Sequence, residues 1–235
     1  MHHCNVIDKK FLMIDLSPIW LTLKLSFFTT IILFILSIPL ASWLSRRKNI
    51  FKTIIEVIVT MPVVLPPTVI GFYMLVAFSP GNAFGAWLEH VFNLRLVFSF
   101  GGLLVASVIY SLPFMVHPIQ SGLSSLSPGL KEASYSLGKT KWQTLTKVLL
   151  PNIKSSLLTA VVLTFAHTVG EFGVVLMIGG NIPGKTRTAS IALYDEVEVF
   201  NYHNANVYAL ILIALSFVIL FTLYFINRKM QVRYL

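Results

Sequence analysis

Long apolar runs alternate with short polar segments along most of the chain. Five runs reach the roughly 20 residues that a helix needs to cross a hydrocarbon layer, and they cover residues 19–45, 54–79, 96–119, 156–178 and 205–226. Within each run the apolar residues follow one another continuously instead of at every second position, which favours helices over membrane strands. The pattern predicts an all-α integral membrane protein with about five transmembrane helices, forming one domain over residues 1–235.

Composition and charge narrow the class of protein. Of the 235 residues, 56% are hydrophobic and 11% are charged, whereas a soluble domain carries about a quarter charged residues. The formal net charge of +9 on so apolar a chain suits the orientation of helices in a bilayer better than nucleic-acid binding. Cys4 is the single cysteine, which excludes an internal disulfide or a cysteine-based metal cluster. We therefore expect membrane lipid, and no nucleic acid, as a partner.

The distribution of Lys and Arg predicts an orientation. If the first helix ends in the cytoplasm, the inner segments hold Arg46, Arg47, Lys48, Lys52, Lys131, Lys139, Lys141, Lys147, Lys154, Arg228, Lys229 and Arg233. The outer segments then hold only Lys9, Lys10, Arg95, Lys185 and Arg187. Because positive residues are enriched on the cytoplasmic side, the amino terminus is expected outside and the carboxyl terminus inside, although Lys9 and Lys10 weigh against this.

In that orientation the longest cytoplasmic segment covers residues 120–154, and its pattern predicts two short helices. Pro128 suits the first turn of a helix with Ser127 as its cap, and Gly138 suits the turn between the helices. An apolar stripe with helical spacing follows, formed by Trp142, Leu145, Val148 and Leu149. Such a stripe requires a partner surface.

This segment also carries a motif. Glu132-Ala133-Ser134 is followed after three residues by Gly138, after nine more by Val148, and after one more by Leu150-Pro151. The pattern resembles the EAA loop of ABC importer permeases, in which Ala stands at position 134 and Ile at position 148. The resemblance implies the type I ABC importer permease fold, with Glu132, Ala133, Ser134 and Gly138 coupling the chain to an ATPase. An amphipathic helix lying on lipid headgroups is the alternative.

The resemblance also implies partners and a location. A permease of this family is expected in the bacterial cytoplasmic (inner) membrane as a homodimer with two cytoplasmic ATP-binding subunits and an extracytoplasmic binding protein. ATP and Mg would be held by the partner ATPase, so this chain is expected to have no bound cofactor, no metal and no catalytic residues. In agreement, neither Gly-x-Ser-x-Gly nor His-Glu-x-x-His, the signatures of a membrane-embedded hydrolase, occurs in the chain. His2, His3 and Cys4 could bind a metal, but their terminal position favours disorder.

Two further stretches are similar to the molybdate branch of the family. Residues 61–71 contain Leu-Pro-Pro-Thr-Val-Ile-Gly, and Gly-Glu-Phe-Gly at 170–173 precedes Gly-Asn-Ile-Pro-Gly-Lys-Thr at 180–186. Sulfate permeases share Gly-Glu-Phe-Gly. The resemblance implies import of molybdate, recognised outside the membrane by a molybdate-binding protein. Tungstate or sulfate transport is an alternative, as is an ATP-independent secondary anion transporter.

The second apolar run is expected to contain a break. Pro62 and Pro66 are four residues apart and share a helix face, and each proline removes a backbone donor. The helix should therefore kink or unwind inside the membrane. Since broken backbone at this depth needs cover by protein or a water-filled cavity, a translocation path is predicted beside Pro62, Pro66, Pro67 and Thr68. A packed proline kink without any path is the alternative.

Ionisable residues in the fourth run form a second candidate. His167 and Glu171 are four residues apart and share a helix face with Thr164, and ionisable groups inside a membrane are functional candidates. A carboxylate is a poor ligand for a dianion, so Glu171 is assigned to gating or to holding neighbouring hydrogen-bond donors, in a gate that also includes Gly173. The hydroxyls of Thr68, Thr164 and Thr168 are candidate anion ligands. A structural His167–Glu171 hydrogen bond is the alternative.

The segment 179–186 fits the phosphate-loop pattern Gly-x-x-x-x-Gly-Lys-Thr. We reject this reading because the segment follows a predicted membrane helix on the outer side, where a phosphate loop must follow a buried strand. Docking of the binding protein through Asn181, Lys185 and Arg187 is expected instead. An acidic patch would assist, formed by Asp195, Glu196 and Glu198. A plain solvated loop is the alternative.

Overall fold

The computed structural model describes residues 14–46 and 49–232, and this part of the chain is helical without any strand. In chain order it contains α1 (Ser17–Leu44), α2 (Ile50–Val64), α3 (Pro67–Phe78), α4 (Ala83–Phe92), α5 (Phe100–Ser125), α6 (Pro128–Ser136), α7 (Lys141–Thr144), a π-helical turn (Leu145–Leu149), α8 (Leu150–Asn152), α9 (Lys154–Val169), α10 (Gly173–Gly179), α11 (Ala189–Glu198) and α12 (Tyr202–Val232).

Three of the described helices, α1, α5 and α12, are long and apolar enough to cross a membrane. Two further candidates are bent pairs. Helices α2 and α3 meet at 111°, and the segment Lys141–Asn152 meets α9 at 82°. The described chain thus offers three spans, or up to five if each bent pair counts as one, and the predicted all-α class is confirmed.

The break between α2 and α3 has a local cause. Leu65 and Pro66 adopt extended backbone, with ψ of 140° and 134°, and each of them precedes a proline, a position that disfavours helical backbone. Pro62, in contrast, lies inside α2, and Pro113 lies inside α5 without ending it. The predicted break is therefore confirmed, and the tandem Pro66-Pro67 explains it better than the 62/66 spacing.

The fourth apolar run is not one helix, contrary to the prediction for residues 156–178. Helix α9 ends at Val169, and α10 begins only at Gly173. The break allows α10 to lie directly against α3. A Cβ atom on Gly173 would stand 2.8 Å from the Cβ of Pro67, and one on Gly71 would stand 2.7 Å from the Cβ of Met177. The chain therefore forms two helices that break at residues 170–172, and α10 packs closely on α3 through glycines of both helices.

Helix α5 occupies the centre of the bundle and joins two apolar clusters. The first cluster includes Leu33 of α1, Ile119 of α5 and Ala160 of α9. The second includes Leu103 of α5 and Ile178 of α10, together with residues of α1, α3 and α11. Helix α12 is peripheral, since only 6% of its most apolar 18-residue stretch is buried. The broken segments are thus held against a rigid central helix.

Polar contacts attach α2 to α5 at positions that the sequence analysis did not single out. The amide of Gln120 donates to a carboxylate oxygen of Glu56 over 2.9 Å. The hydroxyl of Thr60 lies 3.1 Å from Nε2 of His117. Interhelical hydrogen bonds of this kind join helices where apolar association provides little driving force.

Helices α4 and α11 lie outside the predicted spans. Both have 10 residues, which is too few to cross a hydrocarbon layer. The side chain of Asn82 accepts a hydrogen bond from the backbone of Phe84 at the start of α4, and Asn93 ends the helix in the left-handed conformation. These caps are local sequence signals for a helix, and they are independent of long apolar runs.

Candidate functional site

An open cavity of about 530 Å³ lies at the two helix breaks. It is lined by Pro67, Thr68, Tyr110, Ala166, His167, Gly170, Glu171, Phe172 and Gly173. Five of the predicted translocation residues meet there, drawn from α3, the end of α9 and the start of α10. Pro62 and Pro66 do not line the cavity, because Pro62 is buried inside α2 and Pro66 precedes α3.

His167 is held by residues of α5. Its Nδ1 atom lies 3.0 Å from the hydroxyl oxygen of Ser111. Its ring stacks on Phe114 at a centroid distance of 3.9 Å and lies 5.0 Å from the ring of Tyr110. These contacts fix the imidazole at the cavity wall.

The hydroxyls of Thr164 and Thr168 are directed into the bundle. Thr168 donates to the backbone carbonyl of Thr164 over 2.9 Å, and its oxygen lies 3.1 Å from that of Ser111. Both threonines are buried, and neither lines the cavity. Thr168 therefore acts on the cavity wall only through other side chains: its hydroxyl contacts Ser111, and Ser111 contacts the cavity-lining His167. Of the three predicted hydroxyls, only that of Thr68 belongs to a cavity-lining residue.

Glu171 lies in the break between α9 and α10, so it does not share a helix face with His167 as predicted. Its side chain is only 5% exposed, and neither carboxyl oxygen has a hydrogen-bond partner in the described part of the chain. A direct His167–Glu171 hydrogen bond is therefore absent between these two described residues. The backbone carbonyl of Glu171 accepts from Ser190 of α11 over 2.6 Å. The hydroxyl of Ser107 on α5 lies close enough to interact with the Glu171 carboxyl group, and both side chains are buried.

The EAA hairpin (residues 128–152) is a pair of short helical segments around Gly138. Gly138 has a φ of +72°, which favours glycine, and it follows α6 at the predicted turn. Thr140 and Gln143 form a capping box at the start of α7. Ser127 occupies the cap position of α6 without a side-chain cap bond. The hydroxyls of Ser134 and Thr144 lie 2.9 Å apart and join the two arms.

The EAA hairpin exposes large apolar side chains to solvent. Leu137 is 78% exposed and Trp142 is 64% exposed, and Glu132 and Ala133 of α6 are also exposed. The predicted four-residue stripe is divided, because Leu145 and Leu149 pack into the first apolar cluster. The π-helical turn over Leu145–Leu149 changes the helical period, so Trp142 points away from the residues that follow it.

The outer loop residues form an internal network. The amide of Asn181 donates to both carboxylate oxygens of Asp195 over 2.9 Å. Arg187 donates to the Asn181 side-chain oxygen over 2.9 Å and pairs with Asp195 at 2.8 Å. The expectation of an acidic patch is corrected for Asp195, since its charge is neutralised within this network. Lys185 is exposed.

The phosphate-loop pattern lies in a different context from a true phosphate loop. The segment follows α10 and precedes α11, with no strand in the described chain. The hydroxyl of Thr186 donates to the carbonyl of Gly179 over 2.7 Å and accepts from the amide of Ile182 over 2.9 Å. These bonds close the loop on itself.

Metal-ligating side chains do not cluster in the described residues, where no group of three His, Cys, Asp or Glu lies together. The candidate ligands His2, His3 and Cys4 lie outside the described residues.

An all-α bundle with broken helices around an open cavity, and with an EAA hairpin that presents an exposed apolar face, is the architecture of an ABC importer permease. The chain belongs to the family of binding-protein-dependent transport system inner membrane components, whose model matches residues 34–233. The predicted family and fold class are therefore confirmed.

Relatives of this chain include molybdenum and sulfate permeases. The molybdenum transport system permease protein ModB of Azotobacter vinelandii is 44% identical over 89% of this chain and 93% of its own length. The putative molybdenum permease YvgM of Bacillus subtilis (strain 168) is 31% identical over 91% of this chain and 92% of its own length. The sulfate permease CysT of Escherichia coli (strain K12) is 35% identical over 69% of this chain and 58% of its own length.

Solved structures share the fold at lower identity. A chain of the inward-facing MetNI methionine ABC transporter has a TM-score of 0.70 and 21% identity, covering 92% of this chain and 95% of that one. A chain of a bacterial ABC transporter that imports alginate has a TM-score of 0.75 and 18% identity, covering 91% of this chain and 79% of that one. At these identities the likeness concerns the fold alone.

Proposed function

We propose that this chain is the membrane-spanning subunit of an ATP-driven importer that moves molybdate into the cell. The observation that carries the proposal is the 44% identity to a molybdenum permease over nearly the whole of both chains. The sulfate permeases compared are 30% and 35% identical to this chain, which makes sulfate the weaker alternative. Tungstate is chemically close to molybdate, so it is included among the proposed substrates.

The partners are proposed from the chemistry of the EAA hairpin and from the size of the bundle. Exposed Leu137 and Trp142 are suited to fill a groove on a cytoplasmic ATPase, with Glu132, Ala133, Ser134 and Gly138 beside them. Apolar helical anchors in a groove are a recurring mode of recognition. Two copies of this chain would enclose the path, with two ATPase subunits below and a molybdate-binding protein outside. ATP hydrolysis and Mg belong to the ATPase, and this chain supplies no catalytic residue.

The proposed orientation has the EAA hairpin in the cytoplasm, the amino terminus outside and the carboxyl terminus inside. It follows from the excess of Lys and Arg on the hairpin side. In this orientation the network of Asn181, Asp195 and Arg187 faces the binding protein. Since that network is internally satisfied, we assign Asn181 and Arg187 to shaping the docking loop and exposed Lys185 to direct contact.

In the proposed mechanism, the helix breaks respond to ATPase closure. The α3–α10 contact at Gly71 and Gly173 is adjacent to the cavity, so a shift of either helix changes the opening. Thr68 and the imidazole of His167 provide weak polar contacts for a passing anion. A second conformation would give the Glu171 carboxyl group hydrogen-bond donors beyond the Ser107 hydroxyl, and this would favour transition between states. Alternating access of this kind needs binding weak enough for release.

Substitution of Glu171 by Gln tests the gating role. Glutamine keeps the shape of the side chain and removes its ionisable group from a buried site. We expect an unchanged or raised thermal unfolding midpoint of the purified complex, and loss of most molybdate uptake in proteoliposomes. The control is Glu89→Gln, at a half-buried position outside the cavity where the carboxylate pairs with Arg95 at 3.5 Å, and uptake should be unchanged. Normal uptake by the Glu171→Gln variant would contradict the gating role.

Competition experiments test the substrate. Uptake of labelled molybdate by the complete transporter should be inhibited by an equal concentration of unlabelled tungstate and not by the same concentration of sulfate. Inhibition by sulfate at that concentration would overturn the assignment to the molybdate branch while leaving the permease class intact.

Deletion of residues 132–138 separates an ATP-driven importer from an ATP-independent anion carrier. The importer should lose both transport and co-purification of its ATPase, whereas a carrier should still move anions. Western detection of the deletion variant in washed membranes provides the control for insertion.

A further inference from the structure

A cavity of about 270 Å³ lies where the carboxyl-terminal ends of α1 and α5 meet the EAA hairpin. Three cationic side chains line it, and they come from three different parts of the chain. Arg46 follows α1, Lys131 belongs to α6 and Lys141 begins α7. The cavity is separate from the one at the helix breaks, and none of its residues is assigned to transport above.

The positive charge of this cavity is not balanced by the described chain. No Asp or Glu lines the cavity. The ion pairs of the described residues join Arg95 to Glu89 and Arg187 to Asp195, so Arg46, Lys131 and Lys141 have no acidic partner there. Arg46 and Lys141 are exposed and Lys131 is half-buried, so solvent screens part of their mutual repulsion, and a bound anion would relieve the remainder.

Hydroxyl groups complete the set of donors. Ser124, Ser127 and Tyr135 also line the cavity. Ser127 lies at the cap position of α6, yet its hydroxyl makes no cap hydrogen bond. The side chains of Ser124 and Tyr135 make no hydrogen bond to the described chain, and all three hydroxyl residues are exposed to solvent. Three accessible hydroxyls beside three cationic side chains form a polar lining that can donate to an anion.

We propose that this cavity binds a tetrahedral oxyanion group, either the phosphate of an acidic phospholipid headgroup or a free oxyanion from the cytoplasm. A planar guanidinium binds two oxygens of such a group, and the ammonium groups of lysine act as point charges. The bound anion would connect the end of α1 with both arms of the EAA hairpin. Its occupancy would therefore control how firmly the hairpin is attached to the bundle.

The test compares two double variants of the complete permease–ATPase complex. Lys131→Gln with Lys141→Gln removes two charges from the cavity. Lys139→Gln with Lys147→Gln removes two charges from the same hairpin at exposed positions that do not line the cavity. Each complex is reconstituted in nanodiscs of phosphatidylcholine alone or with phosphatidylglycerol. Retained phosphatidylglycerol is counted by native mass spectrometry, and binding of inorganic phosphate and of molybdate in phosphatidylcholine discs is measured by equilibrium dialysis.

The two sources give different results. If a headgroup occupies the cavity, wild type and control retain phosphatidylglycerol, and its affinity for the cavity variant falls about a hundredfold, since each of the two lost charge-assisted bonds weakens binding about tenfold. If a free oxyanion occupies it, phosphate or molybdate affinity falls about a hundredfold in the cavity variant alone. Equal binding of every probe by the cavity and control variants would overturn the proposal. These binding measurements do not depend on which substrate is transported.

Discussion

Replacement of Trp142 by Ala is expected to release the ATPase from the permease and to abolish uptake. Trp142 is 64% exposed on the EAA hairpin, and Leu137 of the same hairpin is 78% exposed. Truncation of a tryptophan anchor at an interface costs about 2 kcal/mol or more, which corresponds to at least about thirtyfold weaker binding. Co-purification of the tagged permease with its ATPase and substrate-stimulated ATP hydrolysis measure the effect.

Trp20 provides a matched control for this experiment. It lies on α1 and is 71% exposed, so Trp20→Ala removes the same side chain from a surface outside the EAA hairpin. That variant should retain its ATPase at wild-type stoichiometry. If Trp142→Ala retained the ATPase as well, the hairpin would not be the docking element, and the lipid-headgroup alternative would be favoured.

Replacement of Gly173 by Ala is expected to separate α10 from α3 and to block transport. The added Cβ would stand 2.8 Å from the Cβ of Pro67 and 3.3 Å from the backbone nitrogen of Thr68. Neither atom belongs to a flexible chain end, so the helices must move apart. Overpacking of this kind costs about 1–3 kcal/mol, although alanine alone would favour a helix by up to about 1 kcal/mol. The thermal unfolding midpoint should fall, and uptake should be lost.

Gly101 of α5 is the control position for this prediction. A Cβ on Gly101 would meet its nearest neighbours at 3.6 Å and 3.7 Å, which is ordinary contact. Gly101→Ala should therefore keep or slightly raise the unfolding midpoint, because only the helix preference of alanine acts there. A Gly173→Ala variant as stable and active as Gly101→Ala would show that the α3–α10 contact is loose enough to be irrelevant to transport.

The parts of the fold that the sequence predicts are those governed by local patterns. Uninterrupted apolar runs predict α1, α5 and α12, and the pair Pro62 and Pro66 predicts a break in the second run, which the structure places at the tandem Pro66-Pro67. Even for these helices the observed ends differ from the predicted ends. Helix α5 continues to Ser125, six residues beyond the predicted end at 119, because backbone hydrogen bonds continue past the apolar stretch. Gly138 is found at the predicted turn for the same local reason.

The parts that the sequence does not predict depend on distant neighbours. The end of α9 before Glu171 follows from the packing of α10 on α3, two segments that are about a hundred residues apart in the chain. The partners of His167 are Ser111 and Phe114, whose side chains lie on α5 without any motif that marks them. The neutralisation of Asp195 by Arg187 also depends on distant neighbours, since their pairing requires the loop to fold back on α11.

The hydroxyl contact between Ser134 and Thr144 has a mechanical consequence. The contact cross-links the two arms of the EAA hairpin, so it opposes their separation around Gly138. In the proposed transporter, force applied to α6 by the ATPase would pass to α7 and through the following turn into α9, whose carboxyl-terminal end lies at the cavity. The hydrogen bond between Ser134 and Thr144 would then contribute to the stiffness of this connection.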